Sequence, residues 1–170
     1  MIKSRRYVMA VALLLAVSVA APAWAQTPDL SGTWKFEKSK STGEPVVPRI
    51  FNPTGVMPTD PTLMVKQSPT ELNVTVGDAR LLYKLDGTEM NISAEGRAGF
   101  PVGKTAWEQG KLVITLTQEV FNAAKFNYFK VPGKEVWTLE GNTLMIEKSQ
   151  TMLDGEVQMK KLVYMKAPAS

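Results

Sequence analysis

From Thr62 to Lys166 the chain is a succession of short apolar–polar alternations, each stopped by a turn signal, with no stretch of helical period. A period of two broken at close intervals specifies strands, one face buried and the other wet. Leu63 and Val65 share a face before Ser68-Pro69 turns the chain. Leu72, Val74 and Val76 alternate with Glu71, Asn73 and Thr75 up to Gly77-Asp78, and Leu81, Tyr83 and Leu85 lead into Asp86-Gly87. Met90 and Ile92 alternate with Glu89, Asn91 and Ser93, and a glycine-bearing link through Gly96, Gly99 and Gly103 precedes Thr105 and Trp107. Leu112, Ile114 and Leu116 come after Gln109-Gly110, and Pro132-Gly133, Gly141-Asn142 and Asp154-Gly155 punctuate the last three strands. About nine or ten short antiparallel strands with no helix to cover an edge favour a closed or nearly closed barrel.

Upstream, Leu30 to Phe36 reads as a first strand with Leu30, Trp34 and Phe36 on one face. Residues 37–61 then hold Pro45, Pro48, Pro53, Pro58 and Pro61, which excludes a regular helix or an interior strand. A connection this long is expected to be functional. Its apolar Val46, Val47, Ile50, Phe51, Val56 and Met57 predict a flap across one barrel end rather than a solvated linker.

At the N-terminus, Lys3, Arg5 and Arg6 precede an apolar run from Val8 to Val19, and Ala23-Trp24-Ala25 supplies a small-x-small cleavage pattern. These are the parts of a secretory signal peptide, with cleavage expected after Ala25 by the general secretory route. The run is too short for a membrane span and is broken by Pro22, so the mature chain is expected to carry no transmembrane segment and to be periplasmic or secreted. Two regions are thus expected: the signal over 1–25 and one barrel domain over 26–170. Loss of the leader leaves 17 basic against 16 acidic groups, a near-neutral surface with no footprint for nucleic acid. The chain has no His and no Cys, which removes Ser-His-Asp and Cys nucleophile chemistry, Cys/His metal or haem sites and any disulfide. No cofactor and no metal site are expected.

A short repeat runs through the hairpins. Tyr83-Lys-Leu-Asp-Gly87-Thr-Glu-Met90 parallels Trp137-Thr-Leu-Glu-Gly141-Asn-Thr-Leu144, and Trp107-Glu-Gln-Gly110-Lys-Leu112 is a shortened version. Each unit is an inward aromatic, a glycine turn and an apolar residue opening the return strand.

Leu30-Ser31-Gly32-Thr33-Trp34-Lys35 resembles the Gly-x-Trp opening of the first strand in lipocalins and related calycin barrels, and Glu37-Lys-Ser-Lys-Ser41 is similar to the start of secreted bacterial lipocalin-like proteins. The resemblance implies an all-β, up-and-down antiparallel barrel of about eight to ten strands. It also implies a non-enzymatic binder of a small hydrophobic or amphipathic molecule. Two features depart from lipocalins: the last strand offers Lys160, Lys161 and Lys166 where lipocalins place an arginine over the tryptophan, and no helix comes after the barrel.

Candidate ligand-contacting residues emerge from these patterns. Trp34 is expected to close the barrel floor, and Tyr83, Trp107 and Trp137 are read as core plugs or as cavity walls. Phe121 and Phe126 lie with Tyr128 and Phe129 in a segment of unclear period, 119–130, expected either as a hairpin tip at the barrel mouth or as a plug. Glu71, Glu89, Glu119 and Glu147 fall on polar strand faces; Glu135 alone shares a register with Trp137 and Leu139, at what reads as a strand start. No two carboxylates converge, which disfavours glycosidase-like chemistry. Lys161 falls in the middle of the apolar row Val157, Met159, Val163 and Met165. Either it points inward over Trp34 or toward an acidic ligand, or a β-bulge throws it into solvent. Two other functions stay open at this level: a cavity enzyme, such as an isomerase or hydrolase using Tyr, Lys or carboxylate groups, and a barrel that binds other proteins through its loops.

Overall fold

The computed structural model describes residues 27–43, 62–77, 79–92, 101–122, 125–152 and 154–168, with the side chains of 120–122 left aside. The leader at 1–25 and residues 44–61 of the proline-rich connection lie outside them. Ten strands form one antiparallel sheet: β1 (Gly32–Phe36), β2 (Thr62–Gln67), β3 (Glu71–Val76), β4 (Ala79–Lys84), β5 (Met90–Asn91), β6 (Val102–Glu108), β7 (Lys111–Asn122), β8 (Asn127–Glu140), β9 (Thr143–Thr151) and β10 (Val157–Lys166). Each pairs with its sequence neighbour except at one place. β1 pairs with β10, which closes the sheet on itself, and β4 meets β5 only through isolated contacts. At that seam the Leu82 amide donates to the Ile92 carbonyl at 2.9 Å, and the Thr105 hydroxyl donates to the Lys84 carbonyl. The result is a nearly closed up-and-down barrel. Among the described residues there is no α-helix, and none long and apolar enough to cross a membrane.

The alternation read from the sequence sets the interior of β1 to β7. Trp34, Leu63, Val65, Leu72, Val74, Val76, Tyr83, Leu112 and Ile114 are all buried in one cluster, with Trp137, Leu144, Ile146, Leu162 and Tyr164 from the later strands. The repeat has a spatial meaning. Its glycines sit at positive φ in the turns β4–β5, β6–β7 and β8–β9 (Gly87 at 78°, Gly110 at 76°, Gly141 at 57°), all at one end of the barrel. That register carries Tyr83, Trp107 and Trp137 into the core toward this end, the floor, which Trp34 shares, and Tyr83 and Trp137 meet edge to face at 5.9 Å. Leu30 seals the same end. The Trp34 indole donates to the Leu30 carbonyl at 2.9 Å, and Gln67 holds the incoming segment by accepting from the Leu30 amide at 2.9 Å and donating to the Pro28 carbonyl at 3.1 Å.

The opening motif also acquires a reason. Lys166 is opposite Trp34 in the β1–β10 register, and its ammonium lies 5.3 Å from the indole ring centre. Gly32 has φ of 145°, and a Cβ there would come within 2.9 Å of the Lys166 side chain. The glycine is therefore the space through which the lysine stem reaches the ring. Lys166, not Lys161, is the last-strand lysine that lies over Trp34. Lys166→Met is expected to cost about 0.5–1 kcal/mol in chemical denaturation, since the cation is exposed, while Lys166→Arg retains the contact.

Two expectations are corrected. Pro132-Gly133 is not a turn: both residues sit inside β8, opposite Thr117 and Leu116. Pairing of β8 with β9 begins at Gly133, directly after the proline, which cannot donate to a ladder. Of the two alternatives for 119–130, the hairpin is found: the segment lies at the end of β7 and the start of β8, with Phe126 and Tyr128 exposed. β10 has no bulge; it pairs residue for residue with β9 from Val157–Thr151 to Met165–Thr143. Its inward face is Leu162 and Tyr164, so Val157 and Met159 point outward, 59% and 76% exposed. Lys161 lies on that outer face, exposed, with its amide bonded to the Thr42 hydroxyl at 3.0 Å.

Of the expected flap, only residues 37–43 are described. They stay on β10: the Glu37 amide donates to the Val163 carbonyl, the Val163 amide to the Ser41 hydroxyl, and the Thr42 amide to the Lys161 carbonyl.

Candidate functional site

The floor is aromatic, but the interior changes character toward the opposite end, where β3, β7 and β9 finish at Val76, Asn122 and Thr151. In register, the inward row of β8 reads Trp137, Glu135, Gly133; that of β9 reads Ile146, Lys148, Gln150; that of β10 reads Leu162, Lys160, Gln158. β7 contributes Ile114 opposite Glu135, then Leu116 and Gln118. Polar groups thus enter the inner face at Glu135 of β8 (between the apolar Trp137 and Val131), Lys148 and Gln150 of β9, and Gln158 and Lys160 of β10. At the start of β10 the apolar Val157 and Met159 lie outside.

Glu135 is the centre of this region. It is only 5% exposed. One carboxylate oxygen lies 2.5 Å from the Lys148 ammonium and the other accepts the Trp137 indole N–H at 2.9 Å. Burying a carboxylate is tolerable when it is paired and hydrogen-bonded in this way. Strand geometry makes the contacts local: Glu135 and Trp137 are two apart on one face of β8, and Lys148 is the directly opposed residue of β9. The expectation that Glu135 opens a strand is corrected, since β8 begins eight residues earlier.

Exposure grows from this pair toward the open end. Ile146 is buried, the Lys148 side chain is 21% exposed, and Gln150 donates to Gln118 at 3.4 Å among half-buried groups. Lys160, opposite Lys148, is fully at the surface. Below the pair, burial pushes the Tyr83 hydroxyl well above its ordinary pKa and the Tyr164 hydroxyl likewise, with the negative charge of Glu135 adding to both. Both therefore stay neutral. Tyr164 also packs on Phe36, ring centres 5.4 Å apart.

The candidates named from sequence divide by place. Trp34, Tyr83 and Trp137 are buried in the core, Tyr83 against Trp137, and Trp107 packs half-buried against it. Phe126 stands at the β7–β8 tip at φ of 48°, 87% exposed, with Tyr128 beside it at 65%. The Phe121 backbone pairs with Tyr128, and its side chain lies outside the described ones. Lys161 faces out. The interior polar residues Lys148, Gln118 and Gln150 are additions. Their signal was parity alone: Lys148 falls in step with Leu144 and Ile146, and Gln118 with Leu112 and Ile114.

No family model matches the chain, and no curated protein matches it in sequence. Among solved structures, a zebrafish ileal bile acid-binding protein complexed with cholic acid is 18% identical, with a TM-score of 0.50 over 81% of this chain and 98% of that one. The chain has a calycin-type, lipocalin-like barrel fold. A fatty acid transporter designated REP1-NXSQ aligns over 83% of this chain and 98% of its own, at 10% identity and a TM-score of 0.49.

Proposed function

We propose that this calycin-type barrel is an exported binding protein for a small hydrophobic or amphipathic molecule, held with its apolar part over the aromatic floor and its polar part at Glu135 and Lys148. The observation that carries this reading is the set of polar groups on the inner face of β8 to β10, with the apolar Val157 and Met159 of β10 outside. Turning Glu135, Lys148, Gln150 and Gln158 inward while leaving Val157 and Met159 in water costs stability, and local rules are broken this way chiefly where function requires it. The shared barrel fold with a protein solved around cholic acid supports a ligand that is amphipathic. Export to the periplasm or beyond rests on the basic, apolar and small-x-small segments of residues 1–25; a secreted product whose first residue is Gln26 is the expected outcome of N-terminal sequencing.

Titration with the neutral probe N-phenyl-1-naphthylamine tests the binding reading. A saturable, single-site rise in fluorescence is expected, with energy transfer from the floor tryptophans. Fluorescence that grows without saturation, or not at all, contradicts it.

A further inference from the structure

Resting on the binding reading above, we propose that the barrel selects a neutral, hydrogen-bonding amphiphile, of the class of a long-chain alcohol, over a carboxylate of the same length, and that Glu135 sets this choice. Among the described strand residues facing inward, charge is carried only by Glu135, Lys148, Lys160 and Lys166. Lys166 is at the closed end over Trp34. Lys160 is exposed, so its charge acts through a high dielectric and is weakened there. The buried charge is thus one carboxylate and one ammonium 2.5 Å apart, a neutral unit.

Both oxygens of Glu135 already have donors, Lys148 on one and the Trp137 indole on the other. A ligand carboxylate seeking the Lys148 ammonium would stand beside that anion, and two carboxylates sharing one site resist joint ionisation. A hydroxyl meets no such opposition. The Lys148 ammonium has three N–H donors, of which Glu135 engages one oxygen's worth, and its side chain is 21% exposed. A ligand oxygen can accept from it while the ion pair persists. The cholic acid of the zebrafish barrel is a carboxylic acid, so the ligand class inferred for this chain differs from that of its structural neighbour.

The test is displacement of N-phenyl-1-naphthylamine by 1-dodecanol and by dodecanoate at pH 8, on the wild type and on Glu135→Gln. The amide keeps an acceptor for Trp137 and removes the charge. Wild type should release the probe at a dodecanol concentration about tenfold or more below that of dodecanoate. Glu135→Gln should move the ratio toward dodecanoate by a similar factor, because Lys148 is then unopposed. The wild-type ratio stands by itself if the variant does not fold. Preference of the wild type for dodecanoate, or an unchanged ratio in folded Glu135→Gln, overturns the inference while leaving binding intact. Failure of the probe to bind at all overturns the binding reading and this one with it.

Discussion

Lys148→Met is expected to destabilise the barrel by about 3 kcal/mol, the lower end of the range for breaking a buried ion pair because the lysine retains some solvent contact. The loss is not the worth of the pair. It is the cost of leaving Glu135, 5% exposed, charged and without its counterion. Glu135→Gln/Lys148→Met should therefore recover most of the loss, since no ion remains to be compensated and the Trp137 indole keeps an oxygen to donate to. Urea denaturation of the wild type, both single variants and the pair gives the coupling directly. A double variant as unstable as Lys148→Met, or a single variant within a few tenths of a kcal/mol of wild type, would show that the pair is solvated rather than buried.

The second large effect is alkaline. Tyr83 and Tyr164 both have folded pKa values raised above the ordinary 10.0, by burial first and by the Glu135 charge second. Above pH 10 the unfolded chain releases those two protons while the folded chain keeps them, so the unfolded state binds fewer protons and stability falls as pH rises. The contribution is complete below pH 10 and is lost from there upward at about 1.4 kcal/mol per pH unit for each tyrosine. Thermal unfolding measured from pH 9 to pH 11.5 should show the decline, and Tyr83→Phe/Tyr164→Phe should flatten it. A decline of the same steepness in the double variant would assign it to other groups.

Most of the barrel was legible in the sequence because β2 to β4, β6 and the first half of β7 are regular strands whose apolar face is the inner one. Glycine at positive φ marked three turns, and the aromatic four residues before Gly87 and Gly141, or three before Gly110, marked the floor. Strand faces became illegible where the barrel opens. On β10 the apolar row Val157, Met159, Val163, Met165 is the outer one, and Lys161 is an ordinary exposed residue within it. No rule based on burying apolar residues can find this, since the interior there holds Gln158 and Lys160. Pro132-Gly133 failed as a turn for a related reason: β8 is unpaired with β9 beyond Gly133, so a proline is admissible in mid-strand. Glu135 was visible as the one carboxylate in register with Trp137 and Leu139. Its partner was not, because a cross-strand lysine is fixed by register between β8 and β9 and not by spacing along either.

Whether this barrel holds a small apolar or amphipathic molecule is tested most directly by native mass spectrometry of the protein purified from the exported fraction. The expected result is a reproducible mass above that of the polypeptide, removed by organic extraction and recovered in the extract as one chemical class. The bare polypeptide mass in every preparation, with nothing in the extract, would contradict the binding function.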